Sequence, residues 1–102
     1  MIRGTTPTFT LTIPSDSGVD LTQAANVYAT FKQTGVAITK SGEDLTVQAH
    51  QVDVYLNQAE TLQFKAGTLQ IQLNWTYSNA SRACSTIVNI GIDNNLVGEV
   101  LA

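Results

Sequence analysis

Residues 68–77 alternate strictly between apolar and polar side chains, and this pattern limits the possible folds more than any other feature of the chain. The apolar set is Leu69, Ile71, Leu73, Trp75 and Tyr77. Only the two-residue period of a β-strand places all five on one face. The pattern therefore predicts a half-buried antiparallel strand with Trp75 in the core. The opposite face carries uncharged amides and hydroxyls, which offer no catalytic constellation.

Other segments show the same alternation. They are residues 9–13, 27–32, 36–40, 45–49, 52–56 and 82–92. Turn residues separate these segments at the spacing of a sandwich. In the last segment, Val88, Ile90 and Ile92 share one face. We therefore expect one domain over residues 1–102, an all-β, immunoglobulin-like antiparallel β-sandwich of about seven strands with one or two short helical turns.

Two four-residue segments have the side-chain types of a helix capping box. Residues 20–23 begin with Asp20, residues 57–60 begin with Asn57, and each has Gln or Glu three positions later. Each predicts a single helical turn. The second turn lies between two predicted strands, where it would carry the chain from one sheet to the other.

Composition excludes several classes of partner. The chain has 102 residues with 43% hydrophobic content, enough for one core. Its 5 Lys+Arg against 8 Asp+Glu give a formal charge of −3, and the basic residues are scattered singly. Nucleic acids and anionic membranes need clustered positive charge. No apolar run approaches the ~20 residues of a spanning helix, and no export signal is evident at residues 1–4. We therefore expect neither nucleic acid nor membrane as a partner.

Groups that could support catalysis or bind metal are few. His50 is the only histidine, and no Gly-x-Ser-x-Gly motif accompanies it, so we expect a loop or strand-end imidazole. Cys84 lies in a predicted strand, which favours a small core hydrophobe over a reactive thiol. Four acids in two turns, which lack the spacing of a calcium loop, are expected to be solvated: Asp16, Asp20, Glu43 and Asp44. The sequence thus predicts no enzyme, no cofactor and no metal, and a small metal-assisted enzyme is only a third hypothesis.

Three sets of residues are candidates for protein contacts. Pro7 and Pro14 flank the first strand and predict an edge strand, since proline cannot donate to a ladder. Its polar face is Thr8, Thr10 and Thr12. Two tyrosines lie opposite the aliphatic faces of their strands and are expected to be exposed: Tyr28 and Tyr55. The closing segment is too apolar to be a solvated tail, so it should pack on its own domain or on a neighbour through Leu96, Val97, Val100 and Leu101.

Four segments carry a resemblance to a known class of proteins. They are residues 1–8, 27–35, 56–64 and 90–101. These segments are similar to small proteins encoded in the structural-gene regions of tailed phages and prophages of Gram-positive bacteria. Their pattern also resembles the amino-terminal immunoglobulin-like domain of phage upper baseplate proteins, which continue into long coiled or receptor-facing regions.

The resemblance implies a non-enzymatic β-sandwich that is made in the bacterial cytoplasm and assembled into a virion. Its partners would be copies of itself, as a homo-oligomer, and other virion structural proteins of the tail, baseplate, neck or head surface. Because the chain lacks the long regions of the baseplate proteins, a stand-alone component is favoured.

A second hypothesis comes from a different class of function, a carbohydrate-binding β-sandwich module. Aromatic rings bind sugars through large, rigid contact surfaces. This function would require an exposed planar platform built from Trp75, Tyr77 or Tyr55. The exposure of Trp75 therefore discriminates between the two hypotheses.

Overall fold

A computed structural model describes all 102 residues as two antiparallel β-sheets packed face to face. The strands are β1 (Thr8–Thr12), β2 (Asn26–Gln33), β3 (Val36–Ser41), β4 (Leu45–Val47), β5 (Gln51–Tyr55), β6 (Gly67–Thr76), β7 (Arg82–Cys84) and β8 (Val88–Ile92). One sheet has the order β1-β5-β4. The other has the order β3-β2-β6, and both β7 and β8 pair with the far side of β6. The predicted all-β sandwich is confirmed, with eight strands instead of about seven.

The core lies between the sheets, and β6 is its central strand. The inward residues of β6 are buried as the alternation predicts, and Trp75 is only 3% exposed. β2 pairs with β6 along most of its length and adds Phe31, whose ring lies 5.4 Å from that of Phe9 in the facing sheet. Val52 and Val54 of β5 complete the opposite wall. Burial of these apolar faces is the main force that holds the sheets together.

Both predicted helical turns form. Helix α1 (Gln58–Leu62) begins at Asn57, whose side chain accepts from the Glu60 N–H, while the Glu60 carboxylate accepts from the Asn57 N–H. The capping box is therefore complete. Helix α1 joins β5 to β6, and so carries the chain from one sheet to the other. The 3-10 turn Leu21–Gln23 begins at Asp20, whose side chain caps the turn by accepting from the Thr22 N–H. The Gln23 side chain does not form the second hydrogen bond of a capping box. None of the helical segments has the length and hydrophobicity that a membrane-spanning helix requires.

The predicted single strand over residues 82–92 is broken into β7 and β8. Asn74 pairs with Cys84, whereas Ile71 pairs with Val88, so the return side contains one extra residue. This is a β-bulge. At the bulge, the Leu73 N–H donates to the Ser85 hydroxyl at 2.9 Å, and the Ser85 N–H donates to the Leu73 carbonyl at 2.9 Å. A side chain thus takes the place of a backbone acceptor.

The bulge also decides which side chains face the core. Because strand side chains alternate, one extra residue shifts the inward set from odd to even positions. Ile92 is buried, as predicted. Cys84 lies opposite Asn74 on the outer face and is exposed, so its prediction as a core hydrophobe is wrong.

Residues 1–3 run beside the end of β8, an arrangement that the sequence did not predict. The Asp93 N–H donates to the Met1 carbonyl at 2.7 Å, and the Arg3 N–H donates to the Asp93 carbonyl at 3.0 Å. The Arg3 guanidinium donates to the carbonyls of Leu62, at 2.9 Å, and Phe64. Arg3 therefore ties the start of the chain to the end of α1, while the backbone of residues 1–3 covers one end of the β8 edge.

Candidate interaction surface

The strand β1 lies at the edge of its sheet, as predicted. The Leu56 N–H donates to the Pro7 carbonyl, and the Ile13 N–H donates to the His50 carbonyl. Hydrogen-bonded and non-bonded pairs alternate along an antiparallel ladder, so it is the odd residues of β1 that bond to β5. The backbone N–H and C=O groups of Thr8, Thr10 and Thr12 consequently point away from β5, toward the open edge.

The side chains of these three threonines lie on the outer face and are exposed. Thr10 donates from its hydroxyl to the Asp53 carboxylate at 2.7 Å. On the other side of β5, Thr46 of the edge strand β4 is opposite the same Asp53. β1 itself carries no charged side chain. The predicted contact residues thus form an uncharged strip with both backbone and side chains accessible.

The open edge of β1 borders a cleft between the two sheets. The cleft holds about 220 Å³ and is lined by Thr10, Leu11, Thr12, Ile71, Gln72, Leu73, Ser85, Thr86 and Val88. Val88, which is 47% exposed, contributes apolar surface to its wall. Val88 shares the core-facing side of its sheet with Ile71. Its exposure follows from the width of the facing sheet, which is only three strands wide and ends at β1.

The closing segment, residues 96–102, lies on the surface without regular structure. All four predicted contact residues are exposed: Leu96, Val97, Val100 and Leu101. Gln58 of α1 holds the segment, since its amide donates to the Leu101 carbonyl at 3.1 Å and accepts from the Leu101 N–H at 2.8 Å. The segment therefore attaches to its own domain through backbone groups, while its apolar side chains remain open to contact.

The aromatic residues do not gather into one surface. Tyr55 is 51% exposed, as predicted, but stands alone on the smaller sheet. Tyr28 is half-buried, contrary to prediction, because it lies in mid-sheet between Ser41 and Asn74. Trp75 is buried and donates its indole N–H to the Tyr77 hydroxyl. The exposed platform required for the carbohydrate hypothesis is therefore not formed by Trp75.

The titratable groups are dispersed. His50 is half-buried in the loop between β4 and β5, and no three His, Cys, Asp or Glu side chains come together in an arrangement that could hold a metal ion. Hydrogen bonds from the hydroxyl and then the N–H of Thr22 lower the pKa of the Asp20 carboxyl. Asp20 thus acts as a helix cap, and it does not join the other three acids in a cluster.

A second concavity, of about 470 Å³, lies where the 3-10 turn Leu21–Gln23 meets β2 and β4. Its wall includes Leu21, Ala24, Val27 and Leu45. Tyr28 is the only titratable group that lines it. A substrate site generally needs several convergent polar groups to orient its ligand. This concavity therefore offers shape and apolar surface but no evident reactive chemistry.

No protein-family model matches the chain, and neither the curated proteins nor the solved structures give a significant match to it. The class of protein that the fold defines is an all-β sandwich.

Proposed function

We propose that the chain is a non-enzymatic structural or assembly component of a phage or prophage particle and acts by protein–protein contact. The observation that carries the proposal is the open edge of β1, where Thr8, Thr10 and Thr12 present unpaired backbone groups without a charged side chain. Open edges accept strands from other chains, and natural proteins usually blunt them with charge when pairing must be avoided. The resemblance to phage structural proteins suggests the kind of particle.

The closing segment, residues 96–102, also supports a role in protein–protein contact. Its four large apolar side chains are exposed to solvent. Contiguous exposed apolar surface marks contact sites in soluble proteins. Burial on a neighbour would stabilise an assembly at roughly 25 cal/mol per Å², less the cost of association. We expect the tail, baseplate, neck or head surface to contain the partner.

The test is the composition of particles from the host that encodes the protein. Particles are purified by density gradient, and the copy number of the protein is measured by quantitative mass spectrometry against the major capsid protein. A fixed copy number is expected. Absence from the purified particles would overturn the proposal.

Two variants identify the surfaces used. Thr10→Lys and a deletion of residues 96–102 should fold, as judged by circular dichroism, but should enter particles at a reduced copy number. Thr46→Lys is the matched control, because Thr46 flanks Asp53 on the opposite edge of the same sheet. Equal incorporation of the wild type and the three variants would show that neither surface makes the contact.

A separate experiment addresses the carbohydrate hypothesis. Binding of the protein to a glycan that is abolished by Tyr55→Ala would favour that hypothesis.

A further inference from the structure

We infer that β1 pairs antiparallel with β1 of a second copy of the chain across a twofold axis that passes beside Thr10. The two three-stranded sheets then become one six-stranded sheet shared by two chains. This inference rests on the proposed function in so far as it takes the β1 edge as a contact surface, and it identifies the partner and the register.

The pattern of β1 reads the same in both directions. Its sequence is Thr-Phe-Thr-Leu-Thr over Thr8–Thr12. In an antiparallel pair centred on Thr10, Thr8 lies opposite Thr12 of the second copy, and Phe9 lies opposite Leu11. A twofold interface requires a patch that complements itself, and this strand meets that requirement.

The free backbone groups exclude every register that is slipped by an odd number of residues, and among the rest the register centred on Thr10 pairs all five residues of β1. Only the even residues of β1 direct N–H and C=O groups to the open edge, as the bonds of Pro7 and Ile13 to the β5 side indicate. The Thr10-centred register places even residues opposite even residues, so every free group finds a partner. A slip by one residue would leave these groups unmatched and would reverse the faces. Pro14 has no N–H to donate and ends the pairing.

Side chains and charges agree with this register. On the outer face, threonine lies opposite threonine, a pair that stabilises antiparallel sheets. On the inner face, Phe9 and Leu11 extend the apolar surface. The nearest charges are the Asp53 carboxylates, one strand away from each Thr10. Three strand spacings, about 14 Å, would separate the two Asp53 residues, which exceeds the Debye length of ~8 Å at physiological ionic strength.

The second copy also covers a surface that the monomer leaves open. Val88 faces the core side of its sheet yet is 47% exposed, because the facing sheet ends at β1. A strand added to β1 extends that sheet over the mouth of the cleft beside Leu11 and Val88. The exposed core-side valine therefore points to a strand that is missing from the single chain.

The first test is sedimentation of purified protein. The wild type is expected to be a dimer, and Thr10→Lys a monomer, because two lysines would lie directly opposite each other at the twofold axis. Thr46→Lys should remain a dimer, since it adds the same charge beside Asp53 on the other edge. Thr10→Pro should also be a monomer but remain folded, because the N–H that it removes does not bond to β5.

The second test reports the register directly. In a Cys84→Ser background, Thr10→Cys should form an interchain disulfide on mild oxidation, because the paired Cα atoms would lie about 5.5 Å apart. Thr46→Cys should not. A wild type that stays monomeric up to millimolar concentration would overturn the inference, and so would a dimer that Thr10→Pro leaves intact and Thr10→Cys does not link.

The two hypotheses fail separately. A monomer that is present in particles refutes the β1–β1 pairing and leaves the proposed function in place, with the edge taken by a different virion protein. A disulfide-linked dimer that is absent from particles supports the pairing and refutes the phage role.

Discussion

The indole N–H of Trp75 donates to the hydroxyl of Tyr77 at 3.1 Å, two residues further along the same face of the chain. Trp75 is buried, whereas Tyr77 is half-buried at the end of the core. A buried indole needs an acceptor, because an unsatisfied N–H in an apolar environment is costly. Tyr77 supplies that acceptor from a position that still reaches the surface.

Trp75→Ala should lower the free energy of unfolding by about 3–5 kcal/mol, since it removes a large buried ring and leaves a cavity. Urea denaturation measures the effect. Tyr55→Ala, at an exposed position on the other sheet, is the control and should change stability by about 0.5 kcal/mol or less. A loss below ~1 kcal/mol for Trp75→Ala would place the ring at the surface.

Ser85→Ala should be destabilising by about 1–3 kcal/mol, because it leaves the N–H of the buried residue Leu73 without its acceptor. Thr86→Ala, at the next and exposed position, should have little effect. Thermal melting of both variants compares them. Equal stability of Ser85→Ala and the wild type would mean that the ladder does not depend on this hydroxyl.

Arg3→Ala should destabilise the fold by about 1.5–3 kcal/mol, the range for hydrogen bonds of a charged donor. It should also increase amide hydrogen exchange at Asp93, whose N–H is held by Met1. Arg3→Lys should restore little, because lysine lacks the planar fork that reaches two carbonyls. Lys32→Ala, at an exposed position, is the control and should change neither stability nor this exchange rate. Unchanged amide exchange at Asp93 in Arg3→Ala would contradict the prediction.

Asp20 should make stability depend on pH in the acid range. Its pKa is lowered in the folded state by the bonds from Thr22, so the unfolded chain binds the proton more readily. The contribution of Asp20 is therefore present above the usual aspartate pKa and is lost as pH falls through the lowered folded pKa.

An NMR titration of the Asp20 carboxyl tests this directly. The midpoint should lie below the usual value and should rise in Thr22→Val, which removes the hydroxyl donor. In Asp20→Asn the advantage of the wild type in melting temperature should shrink as the solution is acidified. A midpoint for Asp20 at the usual aspartate value would show that the hydrogen bonds from Thr22 do not lower its pKa.

The parts of the fold that sequence predicts well depend on local periodicity. The alternation around Trp75 assigned the central strand and its buried face, and the spacing from Asn57 to Glu60 assigned the capped helix. The prolines around β1 marked an edge strand. In each case the residues that determine the structure lie within a few positions of one another.

The remaining features depend on contacts between distant residues. A bulge at Ser85 places Cys84 outside, yet nothing in residues 82–92 indicates that a hydroxyl will replace a backbone acceptor. Tyr28 is half-buried because of its neighbouring strands. The exposed contact strip on β1 was predictable from residue types, whereas the uncovered Val88 beside it follows only from how far the facing sheet extends.

The bond between residues 1–3 and Asp93 has a consequence for how the chain acquires its structure. At about 5–20 residues per second, the ribosome needs roughly 5–20 s after it has made residues 1–3 to reach Asp93. β1 also waits for β5, and β2 waits for β6. Such distant pairings carry a loop-closure cost, which slows folding relative to local structure. On the ribosome, Phe9 and Leu11 therefore remain uncovered until the later strands emerge.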